Sequence, residues 1–257
     1  MQYLRIISQW VFTLFFLFLF IRLLPGGHDH GLTPSGFFYC DPLLLINSLL
    51  LTHTLDKIFL LALIPVLLSF VIGKFFCGWI CPMGAIQQLC SWIIGKPAIR
   101  KRSPDRRLLV VKYLVLTLVV GSAIIGTNYA SWLDPFSFLS RSLAAFSPLA
   151  GNGQASVQPF LIGGILILVL VMNSYQTRFF CNTLCPLGAL YGMFSRFGLF
   201  RLKAETSCNS CQKCANHCPY GGNAGDEFLK SECIVCFNCV VDCPSESVDV
   251  RFDMPVR

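Results

Sequence analysis

Toward its C-terminal end the chain reads CNSCQKCANHCP at 208–219 and CIVCFNCVVDCP at 233–244. Both stretches carry one spacing: Cys208, Cys211, Cys214, Cys218 and Pro219, then Cys233, Cys236, Cys239, Cys243 and Pro244. Cysteines three residues apart wrap one side of a cubane, and a fourth, followed by proline, leads the chain toward a neighbouring cubane. The spacing predicts two 4Fe-4S clusters with crossed ligation. Cys208, Cys211, Cys214 and Cys243 would hold one, and Cys233, Cys236, Cys239 and Cys218 the other. Disulfides suit small secreted domains, and zinc suits paired CxxC units without a third and fourth cysteine. Both fit less well, because the whole pattern occurs twice with its prolines.

Outward from this tail the composition changes. Of 257 residues, 54% are hydrophobic, 13% are charged and 23 are Phe, and mean hydropathy is +0.64. That balance places the rest of the chain in a membrane. Four apolar stretches, 6–24, 58–73, 108–126 and 157–175, approach the roughly 18 to 20 residues that cross a hydrocarbon core. Leu43–Leu51 and Phe136–Phe146 are shorter and read as re-entrant or interfacial helices. The expected fold is an all-α integral membrane protein with four transmembrane helices, carrying a small α+β dicluster domain of bacterial-ferredoxin type.

Basic residues orient it. Arg5, Lys74, Lys96, Arg100, Lys101, Arg102, Arg106, Arg107, Lys112, Arg178, Arg196, Arg201 and Lys203 fall on one side, against Arg22, Lys57 and Arg141 on the other. By the positive-inside tendency the N-terminus and the cysteine-rich tail are cytoplasmic, in a multi-pass protein of the inner membrane. Arg5 before an apolar run suggests a secretory signal, but no small-residue cleavage site follows, so the stretch reads as a first spanning helix. Residues 1–203 hold 16 basic and 5 acidic residues, whereas 204–257 hold 4 and 8. A basic rim of this kind suits anionic lipid headgroups and does not imply nucleic acid.

The chain also contains itself twice: KFFCGWICPMGA at 74–85 matches RFFCNTLCPLGA at 178–189. Upstream, Cys40-Asp41-Pro42 echoes Leu133-Asp134-Pro135. Each half then has two spanning helices, an Asp-Pro loop, a short helix and a CxxxCP turn. Two such halves, 1–104 and 105–203, are expected to be parallel repeats about a pseudo-twofold axis along the membrane normal, with the dicluster domain at 204–257. The CxxxCP turns would face each other at the cytoplasmic surface.

Cys77, Cys81, Cys181 and Cys185 could then converge. They would bind a third iron-sulfur or metal centre, act as a dithiol relay, or be small buried side chains at a bend. Cys40 and Cys90 lack repeat counterparts and read as buried apolar groups. Asp41 and Asp134 suit helix capping, with proline in the first turn. The rival role is as candidate proton acceptors from a quinol at the extracytoplasmic face. His28, Asp29 and His30 occupy a glycine-rich loop that reads as solvated, and with only His53 and His217 besides, paired haem ligands are not in view. No glycine-rich nucleotide loop is present.

Twin CxxxCP turns followed by a dicluster tail resemble the NapH/MauN family of membrane-bound ferredoxin-type proteins, related to the membrane core of NosR-like and CcoG-like proteins. The matching positions are Cys77, Cys81, Pro82, Cys181, Cys185, Pro186 and the eight tail cysteines. No stretch of residues 1–257 reads as the extra extracytoplasmic domains of NosR-like and CcoG-like proteins, so the expected resemblance is to their membrane core. The resemblance implies four spanning helices and a cytoplasmic pair of 4Fe-4S clusters. It also implies electron transfer between the quinone pool and redox partners, commonly in periplasmic nitrate or nitrous oxide respiration or in cofactor maturation. The expected function is a membrane-bound iron-sulfur electron-transfer subunit, a candidate quinol dehydrogenase subunit working with a partner reductase. The rivals are a redox assembly factor for a metalloenzyme and an oxygen or redox sensor.

Overall fold

The computed structural model describes residues 2–23, 38–52, 57–93, 106–146, 157–205, 207–220, 222 and 231–252. The loop with His28 and His30, His53, and the basic run from Lys96 to Arg102 lie outside the described residues. Among the described residues the chain is mostly helical, with one two-stranded sheet that brackets the cysteine-rich tail.

Helix α1, Gln2–Leu23, is apolar apart from a few polar positions near its start and Arg22 in its last turn. Its segment Gln2–Arg22 is, among the described residues, the one helix long and apolar enough by itself to cross a membrane. The others with continuous apolar cores are shorter: Pro42–Thr52, Leu60–Ile72, Val110–Ile124 and Leu161–Tyr175. The second expected span, 58–73, does not run as one α-helix. It opens as a 3₁₀ turn, Lys57–Ala62, and becomes α-helical only at Leu63–Ile72. Pro65 sits in the first turn of that helix, where it supplies no N–H for an α-helical bond back to Leu61, which fits the change of helix type at Ala62.

Proline also begins the helices that matter most. α2 (Pro42–Thr52) follows Asp41, α3 is Leu63–Ile72, and α4 is Phe75–Trp79. α5 (Pro82–Ile93) follows Cys81, α6 is Arg106–Ile124, and α7 is Ala130–Leu133. α8 (Pro135–Phe146) follows Asp134, and α9 is Val157–Tyr175. A π turn, Phe180–Leu184, then leads to Cys185 and α10 (Pro186–Ser195). A proline at the first helical position has the right φ and lacks only an N–H that would find no partner there.

β1 (Phe200–Ala204) pairs antiparallel with β2 (Val248–Phe252), Phe200 opposite Phe252 and Ala204 opposite Val248. The tail's sheet therefore starts four residues ahead of the expected boundary at 204. Two one-turn helices, α11 (Lys213–His217) and α12 (Asn238–Val241), follow the cysteine loops.

The tail does not hang free. Tyr220, Ile234 and Cys236 belong to the same buried cluster as Phe76, Cys77, Phe136 and Tyr191 of the helical part. Lys74 N donates to Cys233 O (3.3 Å), Trp79 Nε1 to Val235 O (3.3 Å), Ser195 Oγ to Ser231 O (3.0 Å) and Thr177 Oγ1 to Pro219 O (3.0 Å). This docking corrects the reading of the basic rim. Arg5, Lys74, Lys112 and Arg178 are all at most 2% exposed, so these four face protein and not headgroups. Proximity to span ends marked them as surface residues, but the tail folds back and covers them.

Candidate iron-sulfur centre

The two cysteine loops take the same uncommon backbone shape. Ser210 and Gln212 in the first have φ of 53° and 56°, and Val235 and Phe237 in the second have 53° and 59°. A β-branched residue such as Val is rare in that region and is held there only by its surroundings. Alternating right- and left-handed residues turn successive N–H groups toward one point and form an anion-binding concavity of the kind that serves iron-sulfur sites. The chain therefore carries the local strain appropriate to an anionic cluster in both loops.

The thiols follow. Burial pushes Cys233 up to about 12, with Cys236 and Cys218 adding to the effect. Cys239 is also pushed up by burial, then by Cys236, Cys233 and Cys218. Cys218, from the first run, thus stands within electrostatic reach of two cysteines of the second. Cys243 lies 3.6 Å from the Ser245 hydroxyl, while Cys208 and Cys211 are exposed. The residues preceding the two fourth cysteines, His217 and Asp242, bond to each other and tie the runs together. Among the described residues no three His, Cys, Asp or Glu side chains converge as one metal ion requires. A cubane instead takes its thiolates at separate corners.

Beneath this loop lie the CxxxCP thiols, at 3–7% exposure. They are buried within the protein, because the tail caps them. Ile234 sits on Gly78, where any Cβ would collide with its carbonyl. Burial pushes Cys77 up to about 12, with Cys181 contributing. Cys81 and Cys185 are raised well above the ordinary thiol range, by burial first and then by Cys181 and Cys77. The four thiols lie within electrostatic reach of one another across the two halves, without three of them standing close enough to share a single metal ion. Burial of this kind raises a thiol's pKa, and binding a metal would displace its proton. Cys185 caps α10, its sulfur accepting from Gly188 N at 3.3 Å. In both halves a glycine lets the first cysteine's carbonyl approach: a Cβ on Gly84 would stand 2.8 Å from Cys77 O, and one on Gly188 3.1 Å from Cys181 O. Cys40 and Cys90 are half-buried, and Cys90 points its sulfur at Leu170 O (3.7 Å).

The basic residue that opens each repeat crosses to the other half. Arg178 donates to Cys77 O (3.1 Å) and Gln88 Oε1 (3.2 Å). Lys74 packs against Gly192, where a Cβ would meet its Cε at 2.9 Å. Gln88 and Gly192 stand four residues past the matched glycines 84 and 188, so the two crossings are reciprocal.

Lys74 also reaches Glu232, the residue before Cys233, at 2.6 Å. Lys112 bonds the other carboxylate oxygen, and Tyr113 Oη lies 3.3 Å from it. Burial opposes both charges, but the pairing prevails. Glu232 is held below the usual carboxylate range by Lys74 and Lys112, and Glu232 lifts Lys74 to about 12. This latch was not legible as a site, because Glu232 is one acid among eight in the tail. Lys112 carried the usable signal: a lysine inside an apolar helix needs a partner.

Asp41 and Asp134 cap α2 and α8, with Asp41 Oδ1 accepting from Leu43 N (2.8 Å) and Asp134 Oδ2 from Ser137 N (2.9 Å). Both are fully buried and lie within electrostatic reach of each other, and Asp41 Oδ2 and Asp134 Oδ1 have no hydrogen-bond partner. Tyr191, buried with an unpartnered hydroxyl, lies within electrostatic reach of Asp41, Cys77 and Cys81.

A family profile described as a 4Fe-4S binding domain matches residues 58–102 and 157–205, once in each half and over each CxxxCP turn. The ferredoxin-type protein NapH of Haemophilus influenzae is 30% identical over 251 residues, covering 91% of this chain and 83% of its own. An uncharacterized protein of Methanocaldococcus jannaschii is 26% identical and covers 100% of this chain and 98% of its own. The methylamine utilization ferredoxin-type protein MauN of Methylobacillus flagellatus is 26% identical over 83% of this chain and 75% of its own. No solved structure matches. On these matches and the cysteine architecture beneath them, the chain belongs to the NapH/MauN family of ferredoxin-type iron-sulfur proteins, with a role in electron transfer.

Proposed function

We propose that this protein is an inner-membrane electron-transfer subunit that passes electrons between the quinone pool and a partner redox enzyme, as a quinol dehydrogenase subunit does. The observation that carries the reading is the docking of the second cysteine loop, through Ile234 and Glu232, directly over the buried CxxxCP thiols. Two 4Fe-4S clusters, held by Cys233, Cys236, Cys239 and Cys218 and by Cys208, Cys211, Cys214 and Cys243, would each take up and release one electron. The loops at Ser210 to Gln212 and Val235 to Phe237 hold their thiols and N–H groups ready for them. The first of these clusters lies against the helical part and the second toward solvent, where exposed Cys208 and Cys211 meet a partner protein.

The helical part spans the membrane four times as two parallel repeats, 1–104 and 105–203, with the tail 204–257 cytoplasmic. Outward-facing apolar side chains support this on four helices: Val11 and Phe18 on α1, Leu67 on α3, Leu114 and Leu118 on α6, and Ile167 and Leu168 on α9. Lipid would cover them. The reciprocal crossings of Lys74 and Arg178 support the twofold relation of the halves. Cys77, Cys81, Cys181 and Cys185 form the link between membrane and tail, and the 4Fe-4S profile that matches both segments supports a third iron-sulfur centre there. Asp41 and Asp134, two neighbouring buried carboxyls each with an unpartnered oxygen, offer a place for a proton released when quinol is oxidised.

Cys81→Ser with Cys185→Ser tests the link. Reduction of the tail clusters by a quinol analogue should fall at least about a hundredfold, two decades or ~2.7 kcal/mol in barrier terms, while chemical reduction of those clusters stays intact. Unchanged quinol-driven reduction in the double variant would remove the link from the account.

A further inference from the structure

The first helix carries an orphan charge. Arg5 is 2% exposed, and its Nε and Nη1 are buried with no hydrogen-bond partner. A buried guanidinium without a counterion is costly, since it has left water and received no acceptor in return. Its neighbours make the situation sharper. Arg178, also buried with an unpartnered Nε, lies within electrostatic reach and repels it.

The geometry around Arg5 says what it faces. One turn earlier, Gln2 Nε2 donates to Asn238 Oδ1 at 3.0 Å, on the residue just before Cys239. One turn later, Ser8 Oγ donates to Trp79 O (3.2 Å), and Trp79 Nε1 donates to Val235 O (3.3 Å), just before Cys236. Arg5 lies between these two anchors on the same helix face, against the loop from Val235 to Asn238. Cys236 lies within its electrostatic reach.

We propose that Arg5 is the built-in counterion of the membrane-proximal cluster, the group that Cys236 beside it would help to hold, and that it sets this cluster's potential above that of the solvent-facing one. Adding one electron adds one negative charge to the cluster. A buried cation at close range favours the reduced form, and hydrogen bonds to sulfur act in the same direction. Cys208 and Cys211 of the solvent-facing cluster are exposed, and among the described residues the buried cations Arg5, Lys74, Lys112 and Arg178 bond or face the helical part and the second loop instead. Electrons arriving from the membrane would therefore collect first on the proximal cluster. The inference rests on the ligand assignment under Proposed function.

The test is an EPR-monitored redox titration of the anaerobically purified holoprotein, comparing wild type with Arg5→Gln, Arg5→Lys and Gln2→Ala. Arg5→Gln should lower the midpoint of one cluster and leave the other in place. Arg5→Lys, which keeps the charge, should recover most of that shift, and Gln2→Ala, which loosens the helix without touching the charge, should show none. Unmoved midpoints in Arg5→Gln at full iron content would overturn the proposal, as would an equal shift in Gln2→Ala. If Arg5→Gln loses the proximal cluster, Arg5→Lys decides. A retained cluster near the wild-type potential supports the charge role, and a lost one assigns Arg5 to packing. A separate Cys208→Ser protein marks the solvent-facing signal. If it alters neither signal, the ligand assignment is refuted, while the Arg5 shift is still read as a fall in either midpoint.

Discussion

Gly78 is where a single missing methyl group matters most. Its neighbours in the repeat are bulky, Phe75, Phe76 and Trp79, yet this position must be bare because the Ile234 carbonyl rests on it. Gly78→Ala should lift the second cysteine loop from its seat at a cost of about 1–3 kcal/mol, the usual range for overpacking. The expected readout is fewer than the wild-type number of irons per purified chain and faster tryptic release of the tail. Gly121 in α6 is the control, since a Cβ there meets nothing within 4 Å. Gly121→Ala should be neutral or slightly stabilising on both assays, by up to about 1 kcal/mol from helix propensity. Equal behaviour of the two variants would remove Gly78 from the docking account. At this scale the sequence was partly transparent. The tail cysteines declare their chemistry by spacing, whereas the partner of Gly78 lies 156 positions away on a loop, a separation matched by Trp79 and Val235, and local pattern carries no trace of it.

Among the elements, the latch of Glu232 with Lys74 and Lys112 joins the tail to α6 and to the turn after α3. Replacing one partner of a buried ionic group leaves an uncompensated charge, at about 3–5 kcal/mol. Glu232→Gln abandons two lysines and should lower the thermal midpoint more than Lys112→Met, which leaves the Lys74 pair intact. If the two variants lose equal stability, the latch is not organised around Glu232. Helix starts were legible at this level because Asp-Pro and Cys-Pro each place a capping atom ahead of a proline. The short helices expected at 43–51 and 136–146 are found at Pro42–Thr52 and Pro135–Phe146. The second apolar stretch was misread as one helix because hydropathy does not register the backbone effect of Pro65. The burial of Arg5, Lys74, Lys112 and Arg178 was hidden for a different reason. A count of basic residues near span ends assumes water or headgroups beyond them, and here a folded tail takes that place.

At the scale of the whole molecule, the proposed path runs from the outward apolar helices through the buried CxxxCP thiols to the cysteine loop seated on them and then to the exposed loop of Cys208 and Cys211. Composition pointed to the membrane and the twin sequence runs to the repeat, but neither revealed that tail and helices share one buried core, which depends on contacts between distant residues such as Ile234 and Gly78. The most direct test is to measure iron and acid-labile sulfide per chain, with EPR after reduction, on anaerobically purified protein alongside the Cys77/Cys81/Cys181/Cys185 quadruple serine variant. Two tail clusters require about eight irons in the variant, and a third centre at the CxxxCP thiols requires more than that in the wild type, lost in the variant. Fewer than about eight irons in the fully loaded wild type, or a stoichiometric single metal ion in place of clusters, would contradict the dicluster reading on which the path depends.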